Sequence, residues 1–176
     1  MKQALRRELR AARALFAPAS PIRVDDAFLK RLTAGLVVAT YVPVGAEADP
    51  APLHQAALQA SCTLALPHVV DRATPLRFLA WDQETPLASG PFGLKQPADD
   101  TGVVAPDIIL TPLLGFDRLG NRLGQGAGHY DRAFAAHPDA WRIGVAWSVQ
   151  QVALLQPDPW DVPLHAIATE QEWITP

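Results

Sequence analysis

Two short apolar runs constrain the fold of this chain more than any other feature. Residues 36–42 read LVVATYV, and residues 107–111 read DIILT. Short, nearly continuous apolar runs rich in β-branched side chains are typical of strands buried on both faces of a parallel sheet. Because helical patterns alternate with these and other short strand candidates, the sequence predicts an α/β sandwich with a largely parallel sheet.

The predicted elements are distributed along most of the chain. Helices are predicted at residues 2–16, 24–35, 51–60 and 130–136, and strands at 36–42, 63–66, 76–81, 107–111, 142–147 and 167–169. The polar, proline-containing stretch 82–106 is predicted to hold neither. No internal repeat or linker divides the sequence, so residues 1–176 are expected to form one domain.

Composition excludes several classes of function. Hydrophobic residues make up 49% and charged residues 19%, which is too apolar for a disordered chain. A net charge of −3 offers no general attraction to nucleic acid or to an anionic membrane. The single cysteine excludes an internal disulfide, and no run is apolar and long enough to span a bilayer. Any anionic ligand must therefore be bound by local groups. We expect a cytoplasmic location and a monomer.

The first predicted helix carries two stripes of side chains. Its apolar stripe consists of Leu5, Leu9, Ala12 and Phe16. Its cationic stripe consists of Lys2, Arg6, Arg10 and Arg13. The cations are interpreted either as a solvated helix face or as ligands for an anion, and an arginine-rich amphipathic start is also typical of a mitochondrial presequence.

The segment 107–132, DIILTPLLGFDRLGNRLGQGAGHYDR, contains most of the residues suited to chemistry. In an open α/β sheet, ligands bind in loops that follow the carboxyl ends of strands. The alternating glycines Gly124, Gly126 and Gly128 would let backbone amides surround phosphate oxygens. Arg122 provides a fixed planar cation, and Asp131 a hard oxygen ligand for magnesium. The spacing fits neither standard nucleotide fingerprint, so on spacing alone a phosphate loop and a plain surface loop are equally open.

A family resemblance separates these alternatives. The run GFDRLGNRLGQGAGHYD at 115–131 resembles the signature of the 5-formyltetrahydrofolate cyclo-ligase family. Further stretches resemble other motifs of that family in the same order: KQALR at 2–6, YVPVGAE at 41–47, LPHV at 66–69, GPFGLKQP at 90–97, WDVPL at 160–164 and ATE at 168–170. The resemblance covers nearly the whole chain.

The resemblance implies a fold, an activity and a set of cofactors. The fold would be the three-layer α/β/α sandwich shared with ribose-5-phosphate isomerase and CoA transferases. The activity would be the ATP- and Mg²⁺-dependent conversion of 5-formyltetrahydrofolate to 5,10-methenyltetrahydrofolate. In this reaction the formyl oxygen attacks the γ-phosphate, N10 closes the ring, and phosphate leaves.

The resemblance also assigns roles to individual residues. The implied catalytic residues are Arg122 and Tyr130. The implied ATP contacts are Lys2, Arg6, Arg122, Leu123, Gly124, Gln125, Gly126, Ala127, Gly128, His129 and Tyr130. The implied folate contacts are Glu47, Phe92, Gln125, Gly126, Ala127, Gly128 and His129. The implied magnesium carboxylates are Asp131 and Asp161.

This chain departs from the family pattern in its glycine loop. His129 stands where a tyrosine is common, Ala127 where a glycine or lysine is usual, and Gln125 where an arginine or tyrosine is common. A missing loop cation should weaken the stabilisation of phosphate charge. A non-catalytic folate- or nucleotide-binding regulatory protein therefore stays open, as does a sugar-phosphate isomerase or CoA transferase-like enzyme. The five tryptophans, including Trp160, are interpreted as packing residues.

Overall fold

The computed structural model describes residues 2–98 and 101–176. The helices are α1 (Lys2–Leu15), α2 (Asp26–Leu29), α3 (Ala51–Gln59) and α4 (His129–Ala136), with 3-10 turns at Pro91–Gly93 and Ser148–Gln150. The strands are β1 (Val37–Ala39), β2 (Thr63–His68), β3 (Arg77–Trp81), β4 (Ala88–Ser89), β5 (Lys95–Gln96), β6 (Ile108–Pro112), β7 (Gly115–Phe116), β8 (Arg122–Leu123), β9 (Trp141–Val145), β10 (Ala166–Ala168) and β11 (Trp173–Ile174).

Seven strands form the main sheet in the order β11-β10-β9-β6-β1-β2-β3. The five inner strands pair in parallel, and the two edge strands, β3 and β11, pair antiparallel to their neighbours. The two apolar runs of the sequence supply β1 and β6, which are adjacent near the centre. The prediction of a largely parallel sheet is confirmed.

Helices cover both faces of this sheet. Successive residues of β1 show the division, because Val38 belongs to the apolar cluster on one face and Ala39 to the cluster on the other. Phe28 of α2 and Leu53 of α3 pack into the first cluster, whereas Phe134 of α4 packs into the second. The alternation of side chains along each strand thus produces the predicted three-layer α/β/α sandwich.

The second helix is shorter than the pattern at 24–35 predicts. The carboxylate of Asp25 accepts from the Ala27 amide at 3.0 Å and so caps the start of the helix. The helix ends at Leu29 because the chain must then turn into β1. Gly35 makes that turn in a left-handed conformation, and its amide donates to the Ser61 carbonyl at 3.0 Å.

Two short hairpins were not predicted. The stretch 82–106, predicted to lack strands, contains the antiparallel pair β4–β5. The segment after β6 contains the antiparallel pair β7–β8, whose turn is held by the fully buried Asp117 carboxylate. This carboxylate accepts from the amides of Leu119 and Asn121 at 3.0 Å, and from the Leu155 amide at 2.8 Å.

Helix α1 packs apart from the two main clusters. Leu9 forms a small separate cluster with Leu123 and Leu155, with Leu5 packed against it, which confirms these two members of the predicted apolar stripe. Phe16 follows the end of the helix and packs against the first main cluster. The cationic stripe is not simply solvated, since Arg13 is buried and donates to the Leu113 carbonyl at 3.2 Å. Among the described residues, no helix has the length and hydrophobicity needed to cross a membrane.

Candidate functional site

A cavity of about 670 Å³ opens where the inner strands end. Its walls include residues at or just after the carboxyl ends of β1, β2 and β6, namely Tyr41, Val69 and Leu113. In α/β sheets this edge is the usual place for a ligand. Every residue that the sequence assigned to the site lines the cavity: Lys2, Arg6, Glu47, Phe92, Arg122, Leu123, Gly124, Gln125, Gly126, Ala127, Gly128, His129, Tyr130, Asp131 and Asp161. Their proximity is observed, whereas their individual roles stay predictions.

The glycine loop, residues 124–128, connects β8 to the start of α4. Gly126 and Gly128 have φ angles of +102° and +69°, which side chains with a Cβ rarely adopt. Gly128 is the N-cap of α4, so the loop runs directly into the first amides of that helix. Amides at such a junction have no partner within the helix and favour negative charge, which suits a phosphate.

Four arginine side chains donate hydrogen bonds to this loop. They donate to its oxygens in four pairs: Arg6 Nε to Gly124 O (2.9 Å), Arg10 Nη2 to Gln125 Oε1 (2.7 Å), Arg72 Nη2 to Gly126 O (3.3 Å) and Arg132 Nη1 to Ala127 O (3.0 Å). Positive charge therefore surrounds the loop although Gln125 and Ala127 carry none. The sequence identified Arg6 as a site residue but missed the other three. Only Arg10 had a signal, its place in the cationic stripe.

Arg122 forms a largely buried ion pair with Asp131. Its Nη2 lies 2.5 Å from Asp131 Oδ1, and the two side chains are 6% and 18% exposed. The Phe134 ring lies 5.0 Å from the Arg122 Cζ and covers one face of the guanidinium. The buried Nε of Arg122 has no hydrogen-bond partner in the described part of the chain. Arg122 is therefore a cation that Asp131 and Phe134 hold in a fixed position in the cavity wall.

Lys2 forms a second set of ion pairs at the cavity. Its ammonium lies 2.6 Å from Asp158 and 3.3 Å from Asp161. The hydrogen bond to Asp158, followed by the influence of Asp161, raises the pKa of Lys2 above its usual value. Asp158 was not predicted, because no motif signalled it. The amide of Asp158 donates to the Asp161 carboxylate at 2.8 Å, so the two acids form one turn.

The predicted magnesium carboxylates are therefore both paired with cations. Across residues 2–98 and 101–176, no three His, Cys, Asp or Glu side chains are grouped to hold a metal by themselves. Magnesium commonly takes one or two protein carboxylates and completes its shell with water and substrate phosphates. Asp131 and Asp161 line the same cavity as the glycine loop, so they fit a magnesium ion that is shared with a nucleotide.

The cavity wall also contains a largely buried carboxyl group, that of Glu47. Burial raises the pKa of Glu47, while the hydrogen bond from the Val44 amide (3.0 Å) and the nearby Arg13 act in the other direction. Burial, followed by the nearby Glu47, also raises the pKa of Tyr130, so its phenol keeps its proton at neutral pH. This wall therefore presents hydrogen-bonding groups in a poorly solvated environment, which suits an uncharged heterocycle.

Aromatic side chains flank the mouth of the cavity. Phe92 is 63% exposed and has a φ angle of +59°, a conformation that is strained for a non-glycine residue. Its ring centre lies 6.5 Å from that of His129. Trp160 also lines the cavity and is 70% exposed, so its interpretation as a packing residue was wrong. Exposed rings beside a cavity are suited to stack on a flat ligand.

Comparisons with known proteins point to one family. A model of the 5-formyltetrahydrofolate cyclo-ligase family matches residues 1–170. The 5-formyltetrahydrofolate cyclo-ligase of Escherichia coli K12 is 32% identical over 146 residues, which cover 77% of this chain and 80% of that relative. The Haemophilus influenzae enzyme of the same name is 39% identical over 102 residues, about half (52%) of each chain. The structure of Aquifex aeolicus 5,10-methenyltetrahydrofolate synthetase aligns with a TM-score of 0.75 at 26% identity, covering 99% of this chain and 92% of that one.

Proposed function

The chain belongs to the 5-formyltetrahydrofolate cyclo-ligase family of enzymes, and from this premise we propose that it closes 5-formyltetrahydrofolate into 5,10-methenyltetrahydrofolate with ATP and magnesium. One observation carries the proposal. A single cavity brings together a glycine loop at a helix start, a fixed arginine, two carboxylates and a buried carboxyl wall. Neither a phosphate site nor a folate site alone would need all of these.

The glycine loop and three cations are proposed to bind the phosphates of ATP. Phosphoryl transfer depends mainly on positioning and on neutralising charge at the oxygens of the transferred group. Arg122 is best placed for this role, because it lines the cavity, is largely buried and is held in position by Asp131. Lys2 and Arg6 approach from α1 and would contact the other phosphates.

Asp131 and Asp161 are proposed to hold magnesium together with those phosphates. When bound, the ion supplies charge neutralisation on the phosphate oxygens. Arg122 and Lys2 form ion pairs with the same two carboxylates. The acids and cations of this cluster can therefore exchange partners when magnesium and phosphate enter together, which avoids leaving any buried charge unpaired.

The folate is proposed to lie with its pterin toward Glu47. A buried carboxyl group can accept from the ring N–H groups, and the hydrogen bond from Val44 holds it in place. Phe92 and His129 would flank the ring system, and the proposed contacts continue along the loop through Gln125, Gly126, Ala127 and Gly128.

The proposed chemistry has two steps and no covalent enzyme intermediate. The formyl oxygen on N5 attacks the γ-phosphorus, and the bond to ADP breaks. N10 then attacks the formyl carbon and loses its proton, and the carbon–oxygen bond breaks to release phosphate. Arg122 would stabilise the transferred group. The protonated Tyr130 phenol would act as a hydrogen-bond donor and not as a base. The cytoplasmic location and the monomeric state expected from the sequence stay predictions.

The decisive experiment follows the absorbance of methenyltetrahydrofolate. Purified protein is mixed with 5-formyltetrahydrofolate, magnesium and ATP, and parallel samples omit ATP or magnesium. We expect a rise that needs all components, with one ADP released for each methenyl product. Folded protein that binds 5-formyltetrahydrofolate without turnover would contradict the proposal and favour a non-catalytic binding protein.

A further inference from the structure

Two exposed cations at the mouth of the cavity have no part in the proposed chemistry. We call Arg72 and Lys95 the rim; both line the cavity. In the described part of the chain, neither forms an ion pair with a carboxylate, in contrast to Lys2 and Arg122. The neighbouring Asp71 carboxylate instead accepts from the amides of its own turn. Among residues 2–98 and 101–176, the rim is therefore a positive patch without a carboxylate partner.

Contacts behind the rim hold its two residues on the same side of the cavity. Gln96, which is buried and adjacent to Lys95, accepts from the Val69 amide at 3.0 Å and donates to the Val69 carbonyl at 3.1 Å. This double hydrogen bond joins the β4–β5 hairpin to the segment that leads to Arg72. Arg132 then donates to the Arg72 carbonyl at 3.1 Å. The backbone at the rim is thus fixed before a ligand arrives.

The exposure of the lining residues indicates what the rim meets. Exposure increases from Glu47, which is largely buried, to Phe92, which is 63% exposed, and the rim residues Arg72 and Lys95 are exposed as well. A folate has the same order, from a polar heterocycle through an aromatic spacer to a glutamate with two carboxylates. A folate whose pterin lies at Glu47 would therefore place its glutamate near Arg72 and Lys95.

We propose that Arg72 and Lys95 form the subsite that binds the carboxylates of the glutamate tail of the folate. This inference rests on the proposed function, because it takes the folate as the substrate of this cavity. Nucleotide phosphates are a poorer match for the rim, since magnesium-bound phosphates need nearby carboxylates, and these lie around Lys2 and Arg122. The tail carries only negative charge and needs only cations.

The test compares two substrates in wild type, Arg72→Ala, Lys95→Ala and the double variant. One substrate is 5-formyltetrahydrofolate, and the other is 5-formyltetrahydropteroate, which lacks the glutamate. For each protein, the measured quantity is the ratio of kcat/KM between the two substrates. We expect each single substitution to lower this ratio about 3-fold and the double substitution about 10-fold, as is typical of exposed charge pairs. The effect should shrink as ionic strength rises.

Arg72 also donates to the Gly126 carbonyl, so its substitution could disturb the glycine loop. Among the described hydrogen bonds, Lys95 donates only to Ser89 Oγ (2.9 Å). The Lys95→Ala variant therefore tests the subsite independently of the loop. Arg7→Ala, which removes an exposed arginine outside the cavity lining, is the charge-matched control and should leave the ratio unchanged. Equal losses on both substrates would overturn the proposal. So would a raised KM for ATP with an unchanged ratio, since the rim would then serve the nucleotide.

Failure of the proposed function is separable from failure of the subsite. If wild type shows no ATP-dependent conversion, the quenching of tryptophan fluorescence still gives dissociation constants for the two folates. If wild type binds 5-formyltetrahydrofolate more tightly than 5-formyltetrahydropteroate, and the double variant binds both equally, the subsite would be supported even though the protein is not catalytic. Equal affinity of wild type for both compounds would overturn it.

Discussion

The cavity has two charged regions that differ in how their cations are neutralised. In the acid-paired cluster, Lys2 and Arg122 lie 2.5–3.3 Å from the carboxylates of Asp131, Asp158 and Asp161. At the rim, no described carboxylate pairs with Arg72 or Lys95. Cations beside acids can exchange partners with a metal and its phosphates. Cations without a carboxylate partner are instead suited to a ligand that brings only negative charge.

The largest expected effect comes from Arg122→Ala. Removing a preorganised cation from a developing negative charge should lower kcat about 10²- to 10³-fold. Arg122→Lys should recover only part of this loss, because an ammonium cannot reproduce the planar fork. The measurement is the initial rate of methenyl product formation at saturating ATP and folate.

Arg118→Ala is the matched control for that substitution. Arg118 forms an exposed ion pair with Glu172 at 2.8 Å and lies outside the cavity lining. Its loss should leave kcat nearly unchanged. If Arg122→Ala behaved like this control, the acid-paired cluster would have no special role in catalysis.

The next effect concerns stability. Asp131→Asn leaves Arg122 largely buried without its charge partner, which should lower the free energy of unfolding by about 1–3 kcal/mol. Glu172→Gln breaks the exposed pair with Arg118 and should cost less than about 1 kcal/mol. Urea denaturation of both variants measures the difference. Equal decreases in the free energy of unfolding would mean that burial does not make the Arg122–Asp131 pair more important for stability than the exposed pair.

A smaller effect is expected on nucleotide affinity. Lys2→Ala removes a charged donor from the acid-paired cluster and should raise the KM for ATP about 10-fold, as expected for a charge-assisted hydrogen bond. The KM for 5-formyltetrahydrofolate should change much less. Steady-state kinetics with each substrate varied in turn separates the two. A selective rise in the folate KM would place the folate, and not the nucleotide, at this cluster.

The smallest effect is a change in the titration of His129. Burial lowers the pKa of His129 first, and the nearby Arg132 and Arg72 lower it further. Arg72→Ala should therefore raise this pKa toward its ordinary value of 6.5, whereas Lys2→Ala should not. An NMR titration of the imidazole protons reports both values. An equal response in both variants would mean that the two regions share one electrostatic environment.

The same shift has a consequence for stability. Because the folded-state pKa of His129 lies below its unfolded value, the neutral ring contributes stability that is fully present above about pH 6.5 and is lost as the pH falls. Burial acts in the same direction on the pKa values of His54 and His165. Urea unfolding should give a smaller free energy of unfolding at pH 5.5 than at pH 7.5. Arg72→Ala should make this difference smaller, because it reduces the pKa shift of His129.

The layered fold and the position of the site along the chain could be predicted from the sequence. The apolar runs at 36–42 and 107–111 predicted two inner strands, and the helices at 2–16, 51–60 and 130–136 were found within a residue or so of those bounds. Such patterns are local, because a strand or helix buries side chains at a fixed period whatever lies beyond it. The glycine loop was recognisable for the same reason, since its motif is continuous.

The contacts between side chains that are distant in the sequence could be seen only in the tertiary structure. Lys2 and Asp158 are 156 positions apart, and Arg72 contacts a loop 54 positions away. No local pattern encodes such pairs, because they depend on how the crossover connections bring strand ends together. Three further features also depend on tertiary packing. They are the exposure of Trp160, the early end of α2, and the rim cations that no described carboxylate pairs with. Burial and charge balance at a site belong to the packed chain, because each depends on atoms that distant segments supply.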